Sequence, residues 1–409
     1  MRLPVVGLVF LFIFSILLDL YIAYDIKGMS KKRNYYIGYW ISSILCWIFL
    51  VITICLPRRD ASADIITVMW MLYSYLTVYI AKLGYALFSL FGKGLRISFG
   101  IFPNSHPFKW TGLIVGLALC GVLWLGASYT RRHIKREDVT LAFKNLPPSF
   151  DNYKIVQISD LHVGTWGKDT TFISNLVDSV NRLNPDLIVF TGDIVNRSTP
   201  EIEPFLAPLS RLRAKDGIFS ILGNHDYGDY MDWKKPEDRD LNNFILASHQ
   251  KGLGWKLLNN ERTFIKAGND SIMLIGVENW GDPPFPTYGD LDKALSASKD
   301  SLHHQNDNNF KILLSHNPAH WNQEVSRNTN IDLTLSGHTH AMQMMMKIGN
   351  WKWSPSKYRY EQWGGLYERP GHDNKPSRLY VNIGAGEVGM PARLFGAYPE
   401  ITLFTLKRE

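Results

Sequence analysis

The pattern of apolar and polar positions changes character near residue 130. Before that point four long apolar runs dominate, from about Leu3 to Tyr24, Tyr36 to Leu56, Ile65 to Phe91 and Trp110 to Ser128. Each approaches or exceeds the roughly 20 residues that an α-helix needs to cross the hydrocarbon core of a bilayer. Polar breaks separate the runs, so they predict four membrane-spanning helices rather than one soluble core. The first run lacks a small-x-small cleavage site and is read as a helix, not a removable signal peptide. From residue 138 onward the runs shorten. "KIVQIS", "DLIVF", "GIFSIL", "SIMLIGV", "FKILLS" and "IDLTLS" are of strand length, rich in Ile, Leu and Val, and bounded by polar punctuation. Helix-like segments at 170–184, 201–213 and 318–326 lie between several of them. That alternation predicts an α/β domain with buried strands. The expected organisation is a four-helix transmembrane domain over residues 1–130, a basic linker over 131–150 and an α/β domain over 151–409.

Charge adds a partner class but no orientation. The formal net charge of +7 suits an anionic partner, and lipid headgroups, a phosphate substrate and nucleic acid would all fit it. Taken with the motifs below, membrane lipids and a phosphoester substrate are the expectation, and no nucleic-acid partner is predicted. Four spans put the N-terminus and the large domain of this multi-pass membrane protein on one side. The 25–35 loop carries Lys27, Lys31, Lys32 and Arg33, and the 92–109 loop carries Lys93, Arg96 and Lys109. Arg2, Arg58, Arg59, Arg131, Arg132, Lys135 and Arg136 fall on the other side, so the two counts match and the positive-inside rule does not decide. The loops between helices favour an extracytoplasmic catalytic domain; the cluster after the fourth helix favours the cytoplasmic face as the alternative. Asp19 and Lys82 lie within the apolar runs, near the same membrane face, and could pair, though snorkelling to the interface is the favoured expectation for such positions. Cys46, Cys55 and Cys120 all lie in apolar runs and can staple nothing in the polar domain.

Five strands run directly into residues of metal-ligand type. "VQISDLHVG" supplies Asp160 and His162, "LIVFTGDIV" supplies Asp193, "SILGNHDYG" supplies Asn224, His225 and Asp226, "ILLSHNP" supplies His316, and "LTLSGHTHA" supplies His338 and His340. In open α/β sheets, loops beyond the carboxyl ends of strands build the site. Carboxylates, imidazoles and one amide, without a thiolate, suit Mn, Zn or Fe ions. Seven ligand candidates exceed what one tetrahedral ion takes. They suit two divalent ions about 3.5–4 Å apart, a centre that makes hydroxide from water at neutral pH and clamps the oxygens of an in-line displacement. Taken singly, each motif is an ordinary polar turn; five of them at strand ends are not.

These motifs resemble the calcineurin-like metallophosphoesterase family. The resemblance rests on Asp160-Leu161-His162, Gly192-Asp193, Gly223-Asn224-His225-Asp226, His316 and Gly337-His338-Thr339-His340, in that order, and covers about residues 150–409. It implies a four-layer α/β/β/α sandwich, two sheets face to face with helices outside. It implies one ion held by Asp160, His162, Asp193 and His340 and another by Asp193, Asn224, His316 and His338, with Asp193 bridging. His225 would then stabilise charge on phosphorus or protonate the leaving oxygen, and Asp226 would orient its imidazole. Many relatives follow the last motif with two glycines; here Ala341 and Met342 stand instead. The segment "WKWSPSKYRYEQWGGLY" (351–367) interleaves aromatics with cations, which suits a membrane–water interface, a lid, or a packed loop. Arg393 is a further candidate for a phosphate contact. The expected activity is phosphoester hydrolysis, preferably of a lipid-linked or amphiphilic phosphodiester or pyrophosphate. Metal sensing or scaffolding without turnover is the alternative, and a transporter gated by the domain is the weaker one.

Overall fold

The computed structural model describes residues 5–29, 32–60, 63–100, 106–283, 286–296, 309–349, 351–372 and 375–409. The chain divides into two compact units, one holding residues 1–128 with the short stretch 389–392, the other holding 129–388 and 393–409.

The first unit is four helices, α1 (Val5–Met29), α2 (Arg33–Cys55), α3 (Ile65–Phe99) and α4 (His106–Ser128). All four are long and apolar enough to cross a membrane. Leu17, Leu45, Phe91 and Leu117 point outward and are exposed, a distribution that water would penalise and lipid would not. Glycines let α3 and α4 approach closely: a Cβ on Gly116 would stand 2.5 Å from the Ala81 carbonyl oxygen, and one on Gly112 2.8 Å from that of Tyr85. Asp19 and Lys82 do not snorkel apart. They form an ion pair of 2.7 Å inside the bundle, where the Asp19 carboxylate also accepts from the hydroxyls of Tyr39 at 2.5 Å and Tyr79 at 2.7 Å. An unpaired charge at that depth would cost more than the pair does.

The second unit contains fifteen strands among the described residues: β1 (Lys135–Phe143), β2 (Lys154–Ile158), β3 (Leu187–Phe190), β4 (Ile218–Ser220), β5 (Trp255–Leu257), β6 (Glu261–Ala267), β7 (Asp270–Gly276), β8 (Lys311–Leu314), β9 (Leu333–Ser336), β10 (Met344–Ile348), β11 (Trp351–Trp353), β12 (Gly365–Pro370), β13 (Pro376–Val381), β14 (Leu394–Phe395) and β15 (Glu400–Arg408). They build two six-stranded sheets, ordered β1-β15-β2-β3-β4-β5 and β12-β13-β9-β8-β7-β6, and a small ribbon β11-β10-β14. Within the sheets β2, β3 and β4 run parallel, as do β7, β8 and β9.

Period-two alternation explains the layering. Leu187 and Val189 of β3 face inward with Ile312 and Leu314 of β8 and Leu333 and Leu335 of β9, all in one core between the sheets. Ile188 and Phe190 face outward against Leu176 and Val180 of helix Thr171–Asn181. Leu313 of β8 packs on the opposite outer face with Trp321 and Val325. The result is the α/β/β/α sandwich. Burying a side chain such as Leu313 or Val180 stabilises the fold by about 1.5–3 kcal/mol each.

The expected linker is not one. Residues 135–143 form β1, the edge strand that pairs in parallel with β15 along its whole length. Its first four residues are all charged and its alternation reaches full burial only at Leu141 and Phe143. That is how an edge strand resists further pairing, and it is why the apolar pattern was silent there.

Candidate metal centre

The parallel strands of both sheets end at the same place. Loops after β2, β3 and β4 meet loops after β8 and β9, tied by backbone bonds from the Asp160 N–H to the Gly192 carbonyl (2.9 Å) and from the His162 N–H to the Asp193 carbonyl (3.2 Å). Three trios of ligand-type side chains result: Asp160, His162 and His340; His162, Asp193 and His225; Asp193, His316 and His338. The candidate atoms of each trio lie within 4.8 Å of one another. Asp193 joins them. Its Oδ2 lies 3.1 Å from Nε2 of His316 and 3.6 Å from Nε2 of His162, while its Oδ1 accepts from the His225 N–H at 2.8 Å.

The backbone is bent to reach this arrangement. Asp160, His162, Asp193, His338 and His340 all have positive φ, between 42° and 76°. Each such non-glycine residue costs about 1–2 kcal/mol, and outliers of this kind cluster at functional sites. The glycines of the motifs make room: a Cβ on Gly223 would stand 2.2 Å from Asp193 Oδ1, and one on Gly337 2.3 Å from Asp160 Oδ2.

Sequence comparison agrees with this geometry. Residues 153–342 match the family model described as calcineurin-like phosphoesterase. Residues 1–131 match the model described as probable calcineurin-like phosphoesterase, transmembrane domain. The uncharacterized metallophosphoesterase YkuE of Bacillus subtilis is 32% identical over 289 residues, 69% of this chain and 88% of that protein. This chain belongs to the calcineurin-like metallophosphoesterase family. The transmembrane proteins with metallophosphoesterase domain of Bos taurus and Danio rerio are 31% and 28% identical, each across 66% of this chain; the match spans 56% and 57% of their own length. The protein is a phosphoesterase hydrolase with a membrane-spanning part.

The donor set of this phosphoesterase fits divalent ions. His162 Nε2 and His340 Nε2 face each other at 3.0 Å, and His338 Nδ1 faces His316 Nε2 at 3.2 Å. Outer atoms hold two of these rings: His316 Nδ1 donates to the Thr191 carbonyl at 2.7 Å, and His338 Nε2 meets the Tyr360 hydroxyl at 2.8 Å. Rings anchored in this way turn lone pairs toward a common centre, the usual preparation of imidazole for a cation. Asn224 Oδ1 is buried with no hydrogen-bond partner, a costly state for an amide oxygen unless a cation accepts it. Charge is balanced to match: burial would raise Asp160, but the His340 ring beside it holds its carboxyl well below the usual range.

Two predicted roles look different in three dimensions. The Asp226 carboxylate does not touch the His225 ring. It accepts four backbone N–H groups, from Asp193 (2.8 Å), Gly223 (2.9 Å), Ile194 (2.9 Å) and Val195 (3.2 Å), and so fixes the loop that carries Asp193. His225 is oriented instead by the Asn196 carbonyl, 2.6 Å from its Nδ1, and by the Tyr230 ring stacked on it at 4.3 Å. Burial lowers its pKa. Arg393 does not await a phosphate either. It is fully buried and donates to the carbonyls of Ile383, Gly384 and Gly386, among others. Tyr230, Asn196 and Tyr360 carried no motif signal, although Tyr360 lies in the aromatic segment 351–367.

Proposed function

We propose that the second unit is a dinuclear hydrolase acting on a lipid-linked or amphiphilic phosphodiester or pyrophosphate. The observation that carries the dinuclear reading is Asp193, whose one free carboxylate oxygen faces both imidazole groups. Asp160, His162, Asp193 and His340 would hold one ion; Asp193, Asn224, His316 and His338 would hold the other. When bound, such ions lower the pKa of water and screen the charge of a phosphoryl group. The protein supplies the rest. Asn196 keeps the Nδ1 proton of His225 in a hydrogen bond, so Nε2 carries a proton only in the imidazolium form. It is in that form that the ring would protonate the departing oxygen or donate to a phosphoryl oxygen. Tyr230 keeps that ring from rotating. Asp226 holds the Asp193 loop so that both ligand groups keep their shared carboxylate.

Two features support an amphiphilic substrate. The membrane-spanning helices tether the chain to lipid. The β10–β11 hairpin, which follows the last ligand motif, pairs Ile348 with Trp351 and Lys347 with Lys352, and both Ile348 and Trp351 are exposed. Tyr358 in the same segment is exposed too, at 77%. Aromatic, aliphatic and lysine side chains on one ribbon favour an interface. Metal-stripped, detergent-purified protein tests the reading: hydrolysis of an aryl phosphodiester should return on addition of Mn²⁺, Zn²⁺ or Fe²⁺, and a diacyl pyrophosphate-linked lipid in mixed micelles should be cleaved faster. Folded protein inactive on both with every metal would overturn it.

A further inference from the structure

The membrane unit holds an unbalanced charge beside an apolar groove. Residues 1–128 contain eleven lysines and arginines against four aspartates and no glutamate, so the whole +7 of the chain resides there. Among the described residues, Lys82, Lys93 and Lys109 enter the helix bundle and meet two carboxylates there. Asp19 takes Lys82. Asp25 takes two: Lys93 and Lys109 both lie 2.8 Å from its Oδ1. Its other oxygen accepts from Ser89 at 2.6 Å and Tyr85 at 2.9 Å, so that carboxylate is saturated. The remaining aspartates of this unit, Asp60 and Asp64, lie at the other end of α3, some 40 Å from Lys93 at 1.5 Å per residue. One positive charge at the Asp25 site is therefore uncompensated by the described residues, in surroundings where charge is expensive.

A cavity of about 480 Å³ begins at that site. Lys109 and Tyr85 stand at one end. Ile22 and Ile26 of α1, with Leu113 and Leu117 of α4, form its walls. From Lys109 to Leu117 is about two helical turns, or roughly 12 Å along α4. The close Ala81–Gly116 crossing sets its floor, since any side chain at 116 would collide with backbone there. Lys109 lines one end while its ammonium reaches Asp25, and Lys82, paired with Asp19, lines the wall with Tyr39. The rest of the lining is hydrocarbon, and a cation pair beside such a groove is the complement of a lipid with an anionic head.

We propose that the helix bundle binds one anionic phospholipid, its phosphate at Lys109 and Lys93 and one acyl chain along the groove between α1 and α4. Asp25 holds the two lysines side by side, and the surplus charge is the part the lipid neutralises. The site lies within the first unit and shares no residue with the metal centre.

The test uses the full chain, delipidated in a maltoside detergent, with binding read by native mass spectrometry and by the thermal midpoint. Phosphatidylglycerol should bind one per chain, roughly five- to tenfold tighter than phosphatidylcholine, the effect of about one lysine–headgroup interaction. Lys109→Met leaves the Lys93–Asp25 pair in place and should abolish that preference. Leu117→Trp, at an exposed position, should fill the groove and weaken both lipids. Equal binding of the two lipids by the unsubstituted chain would overturn the proposal, whatever the variants do. Inorganic phosphate protecting as well as phosphatidylglycerol would overturn the lipid assignment, and a Leu117→Trp protein with unchanged lipid binding would overturn the groove.

Discussion

Replacing Asp226 with Asn separates two accounts of one residue. The side chains are isosteric, so shape is kept, while one acceptor becomes a donor and a negative charge, which burial and the nearby Asp193 disfavour, is removed. Asp226 Oδ2 accepts from Asp193 and Gly223, and Oδ1 from Ile194 and Val195. An asparagine must place its NH₂ at one of these positions, where it meets two backbone donors. Whichever way the amide turns, two bonds to a charged acceptor are lost, each worth about 1.5–3 kcal/mol. The expected cost is about 3–6 kcal/mol, a drop in the thermal midpoint on the order of 10 °C. The loop that relaxes carries Asp193, so metal content should fall with stability. Differential scanning of the detergent-purified protein and elemental analysis read both quantities. If Asp226 acted by orienting His225, the variant would keep its midpoint and its metals and lose only turnover. That result would assign Asp226 to the imidazole and not to the Asp193 loop.

Three further outcomes follow from the same geometry. His225→Ala should retain metal content while turnover falls roughly 10²- to 10⁴-fold; loss of metal along with activity would make His225 a ligand instead. Burial disfavours the His316 imidazolium, yet the Asp193 and Asp160 carboxylates and the Thr191 carbonyl together push its pKa up to about 9. A metal ion must therefore displace a proton below that pH, and affinity measured by chelator competition should rise as pH goes from 6 to 8, by about tenfold per unit for one displaced proton; a flat profile would contradict this. Met342 is exposed and has a φ of 45°, so Met342→Gly should exchange a left-handed strain of about 1–2 kcal/mol for a glycine entropy cost of about 0.5–1 kcal/mol. A small rise in the thermal midpoint is expected, and a clear fall would show that the methionine packs against something important.

Local sequence carries what local physics determines. The six apolar runs quoted above all form strands, because a buried strand between two layers needs apolar residues on both faces. The ligand residues were readable because each follows such a strand directly. What escaped was set by contacts distant in sequence. The edge strand β1 is specified by its partner β15, more than 250 residues on, and its own charged residues mask it. Asp226 is adjacent to His225, yet three of its four bonds go back to residues 193–195, some thirty positions earlier. Tyr360 meets His338 across 22 residues, and no spacing rule marks such a hydroxyl. The Asp19–Lys82 pair is of the same kind, since helix-end position favours snorkelling until the bundle supplies hydroxyls from Tyr39 and Tyr79. The glycine pair that many relatives carry after the last motif is also explained. Ala341 and Met342 both sit at positive φ, where glycine would be unstrained and this chain accepts the cost.

The dinuclear reading stands on Asp193 as the residue that would hold two ions together. Metal content per folded chain, measured on the unsubstituted protein and on Asp193→Asn after equilibration with excess Mn²⁺ or Zn²⁺ and gel filtration, tests it most directly. Two ions per chain are expected, and fewer than one in the variant, with hydrolysis of an aryl phosphodiester lost in parallel. One ion per unsubstituted chain, or two retained by an active Asp193→Asn protein, would contradict it.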